Sequence, residues 1–152
     1  MADNTYKTEY GTLASLFNTG WESMSAVQYE NMAYKPTIGT KWARFSVTNG
    51  EADYVTIGTP TSNRVRHAGV IMVQCFAPQH MGAMIAKEMA DKAISIFRGA
   101  NKDGYTFRAG YSVVIPAGDV DTWFQVNAVI PFYRDAIGYT EPTIETEENM
   151  EV

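Results

Sequence analysis

The chain has 152 residues, a formal charge of −5, 45% hydrophobic and 12% aromatic residues, a balance that suits one folded domain with a real core and excludes general disorder. No run of ~18 apolar residues is present, which excludes a membrane-spanning helix, and the N-terminus M-A-D-N-T-Y-K-T-E-Y lacks the basic start and apolar centre of a signal peptide. One cysteine, Cys75, cannot form an internal disulfide, so the chain is expected to be made in a reducing cytoplasm.

In chain order, residues 5–17 are expected to form a helix, with Tyr6, Tyr10, Leu13 and Phe17 on one face and a stop at Asn18-Thr19-Gly20. Residues 25–29 read as a short strand and Lys35-Pro36-Thr37-Ile38-Gly39 as a loop. Residues 42–48 read as a strand in which Ala43, Phe45 and Val47 alternate with Trp42, Arg44 and Ser46. Asn49-Gly50 is a hairpin turn signal, with residues 54–57 as the expected return strand and residues 58–63 as a loop.

Residues 66–76 contain the run Ala68-Gly69-Val70-Ile71-Met72-Val73, apolar on both faces, the mark of a central strand, and Pro78 ends it. The clearest helix pattern covers residues 81–98. Met81, Met84, Ile85, Met89, Ala93, Ile96 and Phe97 form its expected inner stripe, and Gly99 its stop. Residues 105–115 read as a strand bent at Gly110. In residues 122–133, Phe124, Val126, Ala128, Ile130 and Phe132 alternate with polar positions, and Pro131 marks an edge or bulge. The order predicts an α+β fold: a largely antiparallel or mixed sheet packed against one long and one shorter helix.

The polar residues do not assemble a catalytic set. His67 and Cys75 lie eight residues apart, which on an unbroken strand means the same face but about 26 Å of separation. His80 has no second ligand at a recognisable spacing. Asp119 and Asp121 flank a turn and suit Asx-type bonding to the backbone better than metal binding. Phosphate-binding, dinucleotide, serine-hydrolase and zinc-protease signatures are all missing, so neither an enzyme nor a cofactor is expected.

Charge is distributed unevenly. Residues 141–152 hold five Glu and no Lys or Arg, so residues 1–140 are formally neutral. The chain is therefore expected to comprise one domain over residues 1–140 and a solvated acidic tail over residues 141–152. A neutral body offers no clustered basic surface for nucleic acid. Boundary aromatics beside Arg44, Arg64, Arg66 and Arg134 suit a protein–protein interface, where Trp, Tyr and Arg are enriched.

The run V-Q-Y-E-N-M-A-Y-K-P-T-I-G-T-K-W-A-R over residues 27–44 resembles the opening of the tail terminator-like proteins of long, non-contractile-tailed bacteriophages. The segments G-V-I-M-V-Q-C-F-A-P, A-D-K-A-I-S-I-F and W-F-Q-V-N-A-V-I-P-F follow in the family's order, and the resemblance spans residues 5–134. Two features depart from the family pattern: Pro78-Gln79-His80-Met81-Gly82 replaces a Gly-rich entry to the second helix, and the acidic tail has no counterpart.

The resemblance implies a structural virion protein at the tail–neck junction. Such a subunit forms a homo-hexameric ring on the last ring of the tail tube, stops tube polymerisation and presents the head-to-tail joining surface. Its implied partners are copies of itself, the tail tube protein and a head-completion or neck protein, with DNA passing through the lumen unbound and no membrane involved. Another neck or connector subunit, such as a tail-completion or head-closure protein, is the nearest alternative, ahead of a small enzyme. Candidate subunit-interface residues are Trp42, Arg44, Ser46, Arg64 and Arg66, the last two read as part of a loop. Candidate tube or neck contacts are Asn101, Lys102, Asp103, Asp119 and Asp121.

Overall fold

The computed structural model describes residues 5–58, 63–116 and 122–137. Two helices, α1 (Tyr6–Trp21) and α2 (Met84–Arg98), pack on a mixed six-stranded sheet of β1 (Ala26–Gln28), β2 (Trp42–Tyr54), β3 (Arg64–Pro78), β4 (Tyr105–Phe107), β5 (Tyr111–Ile115) and β6 (Trp123–Ile137). The fold is α+β, as the order of patterns predicts. The helices are nearly equal at 16 and 15 residues, so neither is markedly the shorter.

The sheet runs β1-β2-β3-β6-β4, with β5 also on β6; β1 pairs parallel to β2 and every other pairing is antiparallel. Alternation along the strands separates two faces. Ala43 and Phe45, Ile71, Val73 and Cys75, and Val126, Ala128, Ile130 and Phe132 share one core with Leu13, Phe17, Met89, Ala93 and Phe97 of the helices. Both helices therefore lie on one face of the sheet; no described helix packs on the other, where Tyr34 from the segment after β1 lies 5.4 Å from the Trp42 ring.

α1 begins at Thr5, whose hydroxyl accepts the Thr8 N–H at 3.2 Å and so satisfies a free donor of the first turn. It does not stop at residues 18–20. It continues to Trp21 and ends where Glu22 turns left-handed (φ 53°). Gly20 serves packing: a Cβ there would stand 2.7 Å from the Ile96 side chain, so its bareness lets the two helices approach. Likewise Met81 and Met84 are not core residues. α2 starts at Met84, both side chains are exposed, and the buried stripe is Ala86, Met89, Ala90, Ala93, Ile94 and Phe97.

Asn49-Gly50 does not turn the chain. β2 runs through it to Tyr54, paired with β3 throughout, and one extra residue between Asn49 and Ala52 makes a bulge. The return strand is β3 itself, which starts at Arg64, so the expected Arg64–Arg66 loop is strand, continuous with the central strand expected from residue 66. The expected strand over residues 105–115 is split into β4 and β5. Gly110 between them has φ 75°, and a Cβ there would meet Val129 O at 3.2 Å.

Pro131 fits because its missing N–H faces that break. A residue in an antiparallel ladder points its N–H and C=O to the same side, and the Pro131 carbonyl accepts the Arg108 N–H at 2.9 Å, between β4 and β5. The sheet is also pinched at Gly69 in the central strand, where a Cβ would stand 2.8 Å from the Phe132 ring and 3.0 Å from Thr48 O.

Candidate assembly surface

On the face of the sheet away from the helices, Trp42 and Phe76 pair across β2 and β3 and stack with centroids 4.1 Å apart, and Trp123 meets Trp42 edge to face at 6.1 Å. Trp42 is only 4% exposed, so its ring is already covered within the chain, and its indole N–H has no acceptor among the described residues. Arg44 lies over both rings, 5.3 Å from the Trp42 centroid and 5.6 Å from that of Phe76. Its Nε donates to Gln28 Oε1 at 2.9 Å and Nη1 to Gln74 Oε1 at 3.3 Å. Two neutral amides thus orient the guanidinium while its charge stays uncompensated, since no described carboxylate pairs with it. Ser46 stays within the sheet, its Oγ 3.5 Å from Met72 O.

Further along the sheet the arginines differ in kind. Arg66 forms a bidentate pair with Asp135, at 2.9 and 3.0 Å, and lies 4.1 Å from the Tyr133 ring centroid. Its hydrogen bond to Asp135 holds its pKa above the ordinary value. Its charge is therefore compensated locally, whereas Arg64 is exposed at the start of β3. The two expected interface patches thus lie on one strand-built surface but at opposite ends of it.

Asn101, Lys102 and Asp103 form an exposed turn before β4, closed by Tyr105 N–H donating to Lys102 O at 3.0 Å. Asp119 and Asp121 lie outside the described residues, as does the acidic tail.

Behind the sheet lies a polar cluster that the sequence pattern did not single out. Glu9 and Arg134 form a salt bridge at 2.8 Å with side chains 1% and 2% exposed, and Asn49 Nδ2 donates to the other Glu9 oxygen at 2.7 Å. Tyr6 stands beside it, its ring edge-on to His67 at 5.5 Å and 5.8 Å below the Arg134 guanidinium. Burial, helped by Arg134, lowers the His67 pKa. The available signal was the row Glu9, Leu13, Phe17, Trp21: a carboxylate in step with an apolar stripe at four-residue spacing needs a cation beneath it.

The remaining polar candidates are scattered. His80 is exposed; Cys75 is fully buried, and burial pushes its thiol up to about 12, which removes it as a nucleophile near neutral pH. Among the described residues no group of three or more His, Cys, Asp or Glu could hold a metal, and no helix is long and apolar enough to cross a membrane.

One solved chain superposes with a TM-score of 0.61 over 91% of this chain and 100% of its own, at 16% identity, which establishes a shared fold. No curated protein matches the sequence. The family model described as "Phage tail terminator protein" matches residues 12–113, which include β1, β2, β3, α2 and the Arg44 surface. The chain belongs to the phage tail terminator protein family.

Proposed function

We propose that this chain is a tail terminator subunit that closes into a hexameric ring on the last ring of the tail tube. There it stops tube polymerisation and offers the surface that joins the neck of the filled head. The family match over residues 12–113 carries this reading. It is supported by a sheet face on which no described helix packs and by an oriented arginine, Arg44, that pairs with no described carboxylate. A closed ring needs two different complementary patches on each subunit. The face around Arg44 and Ser46, backed by Trp42, and the outer half of β3 with Arg64 and Arg66 are the proposed material for them. The turn of Asn101, Lys102 and Asp103, together with Asp119 and Asp121, is proposed to meet tube or neck along the ring axis. DNA passes through the lumen without specific contacts, and the protein resides in the virion at the tail–neck junction.

Light scattering on the purified chain tests this directly. A mass near six times 16.9 kDa is expected, together with shortened tubes when the chain is added to polymerising tube protein. A monomer that leaves tube length unchanged would overturn the reading.

A further inference from the structure

The sheet has two open edges, and they carry opposite charge. On one side β1 covers only Trp42, Ala43 and Arg44 of β2, and Glu30 Oε1 accepts the Val47 N–H. Over residues 48–54 no described strand lies outside β2. Each residue of this stretch is exposed, and it carries Glu51 and Asp53 with no basic residue. On the other side β4 and β5 are outermost, and the exposed side chains of Lys102 and Arg108 flank β4 with a single acid, Asp103, between them.

Both edges also expose apolar side chains: Tyr54, Val55 and Ile57 near the first, Tyr111, Val113 and Val114 on the second. A single extra residue breaks each edge, between Asn49 and Ala52 on one and between Phe107 and Tyr111 on the other. Both breaks lie near the Gly69–Phe132 pair, so the two edges bend at nearly the same height of the sheet.

Unpaired backbone edges are templates for strand addition. Like charges disfavour an acidic edge meeting its own copy, while unlike edges attract. An edge that fits only a different edge of an identical molecule makes a head-to-tail contact, the kind that closes rings.

We propose that the β2 edge over residues 48–54 of one copy docks on the β4–β5 edge of the next. Glu51 and Asp53 then meet Lys102 and Arg108, and the sheet continues from subunit to subunit. The proposal rests on the ring reading above and specifies its contact; Lys102 is thereby shared with the turn assigned to the ring axis.

Charge reversal tests it with three proteins: the wild type, Glu51→Lys/Asp53→Lys, and Lys102→Glu/Arg108→Glu. All four positions are exposed, so each variant is expected to keep the wild-type circular dichroism spectrum and monomer melting behaviour. Each variant alone is expected to lose the ring mass, with assembly weakened at least about tenfold. Mixed in equal amounts they are expected to recover it, because every junction of an alternating even-membered ring then joins unlike charges. If the wild type forms rings and both variants alone do so equally well, or if the mixture stays monomeric, this edge contact is overturned while the ring reading stands. If the wild type remains monomeric at every concentration and leaves tube length unchanged, the ring reading itself fails.

Discussion

The two ends of the sheet are held by different physics. At the end where β2 begins, Phe17, Phe45, Val73, Cys75, Val126 and Ala128 are fully buried beneath helices, and the cohesion is apolar. Toward the other end β2 is exposed at every residue from Thr48 onward, and the buried contacts become polar: Glu9 with Arg134 and Asn49, and His67 beside Tyr6. Arg66 with Asp135 continues this series toward the surface. Apolar packing tolerates many arrangements of roughly the right volume. A buried ion pair tolerates few, and so fixes the angle at which the α1 N-terminus meets the strands. The half of the molecule proposed to reach a neighbour is thus anchored by directional contacts.

The largest expected effect comes from breaking that anchor. Arg134→Met leaves the Glu9 carboxylate buried with Asn49 as its remaining recorded donor, and is expected to destabilise the fold by about 3–5 kcal/mol. Replacing both partners, Glu9→Leu with Arg134→Met, is expected to recover most of that loss, because no uncompensated charge remains. Urea unfolding of the three proteins measures both. A double variant as unstable as the single one would show that the pair contributes more than mutual neutralisation, and the contrast between the two ends would need redrawing.

That anchor joins residues 125 apart in sequence, and local pattern could not pair them. What was legible is what alternation and helical spacing report. The inward row Val126, Ala128, Ile130 and Phe132, the central place of β3 and the bend at Gly110 all appear in the structure. The misread positions are those where a distant contact overrides a local preference. Gly20 resembles a helix stop but makes room for Ile96. Asn49-Gly50 resembles a hairpin, yet the 15-residue β3 gives β2 a partner well past it, and Gly50 falls at the bulge. Of the assembly surface, Arg44 was legible as an outward residue of an alternating strand. The local neutralisation of Arg66 was not, because Asp135 arrives from β6.

A middle-sized effect is expected where the two ends meet. Gly69→Ala places a methyl 2.8 Å from the Phe132 ring and 3.0 Å from the Thr48 carbonyl oxygen. The ring can shift, but the carbonyl belongs to the ladder, so a loss of about 1–3 kcal/mol is expected from overpacking. Thermal unfolding gives its size. Amide exchange gives its location, with protection lost around residues 65–70 and kept around Val73 and Cys75. Loss spread evenly along β3 would mean that the two ends unfold as one unit.

The smallest effect is a pH dependence confined to the polar end. Burial, with Arg134 nearby, lowers the His67 pKa below its ordinary 6.5, against the opposing influence of Glu9 and Asp135. The unfolded chain therefore takes up a proton at a pH where the folded chain still refuses it. Stability falls as pH drops through 6.5, and the loss levels off below the folded-state pKa. Amide exchange between pH 7.5 and pH 5.5 (about one unit to either side of that ordinary value), corrected for intrinsic rates, is expected to show residues 64–69 losing protection as the medium acidifies. The amides of residues 73–77, in the apolar half, are expected to hold. His67→Phe removes the titrating group and keeps a ring for Tyr6 to pack against, so it is expected to flatten the dependence at residues 64–69. A dependence of equal size in that variant would show that a group other than His67 is responsible.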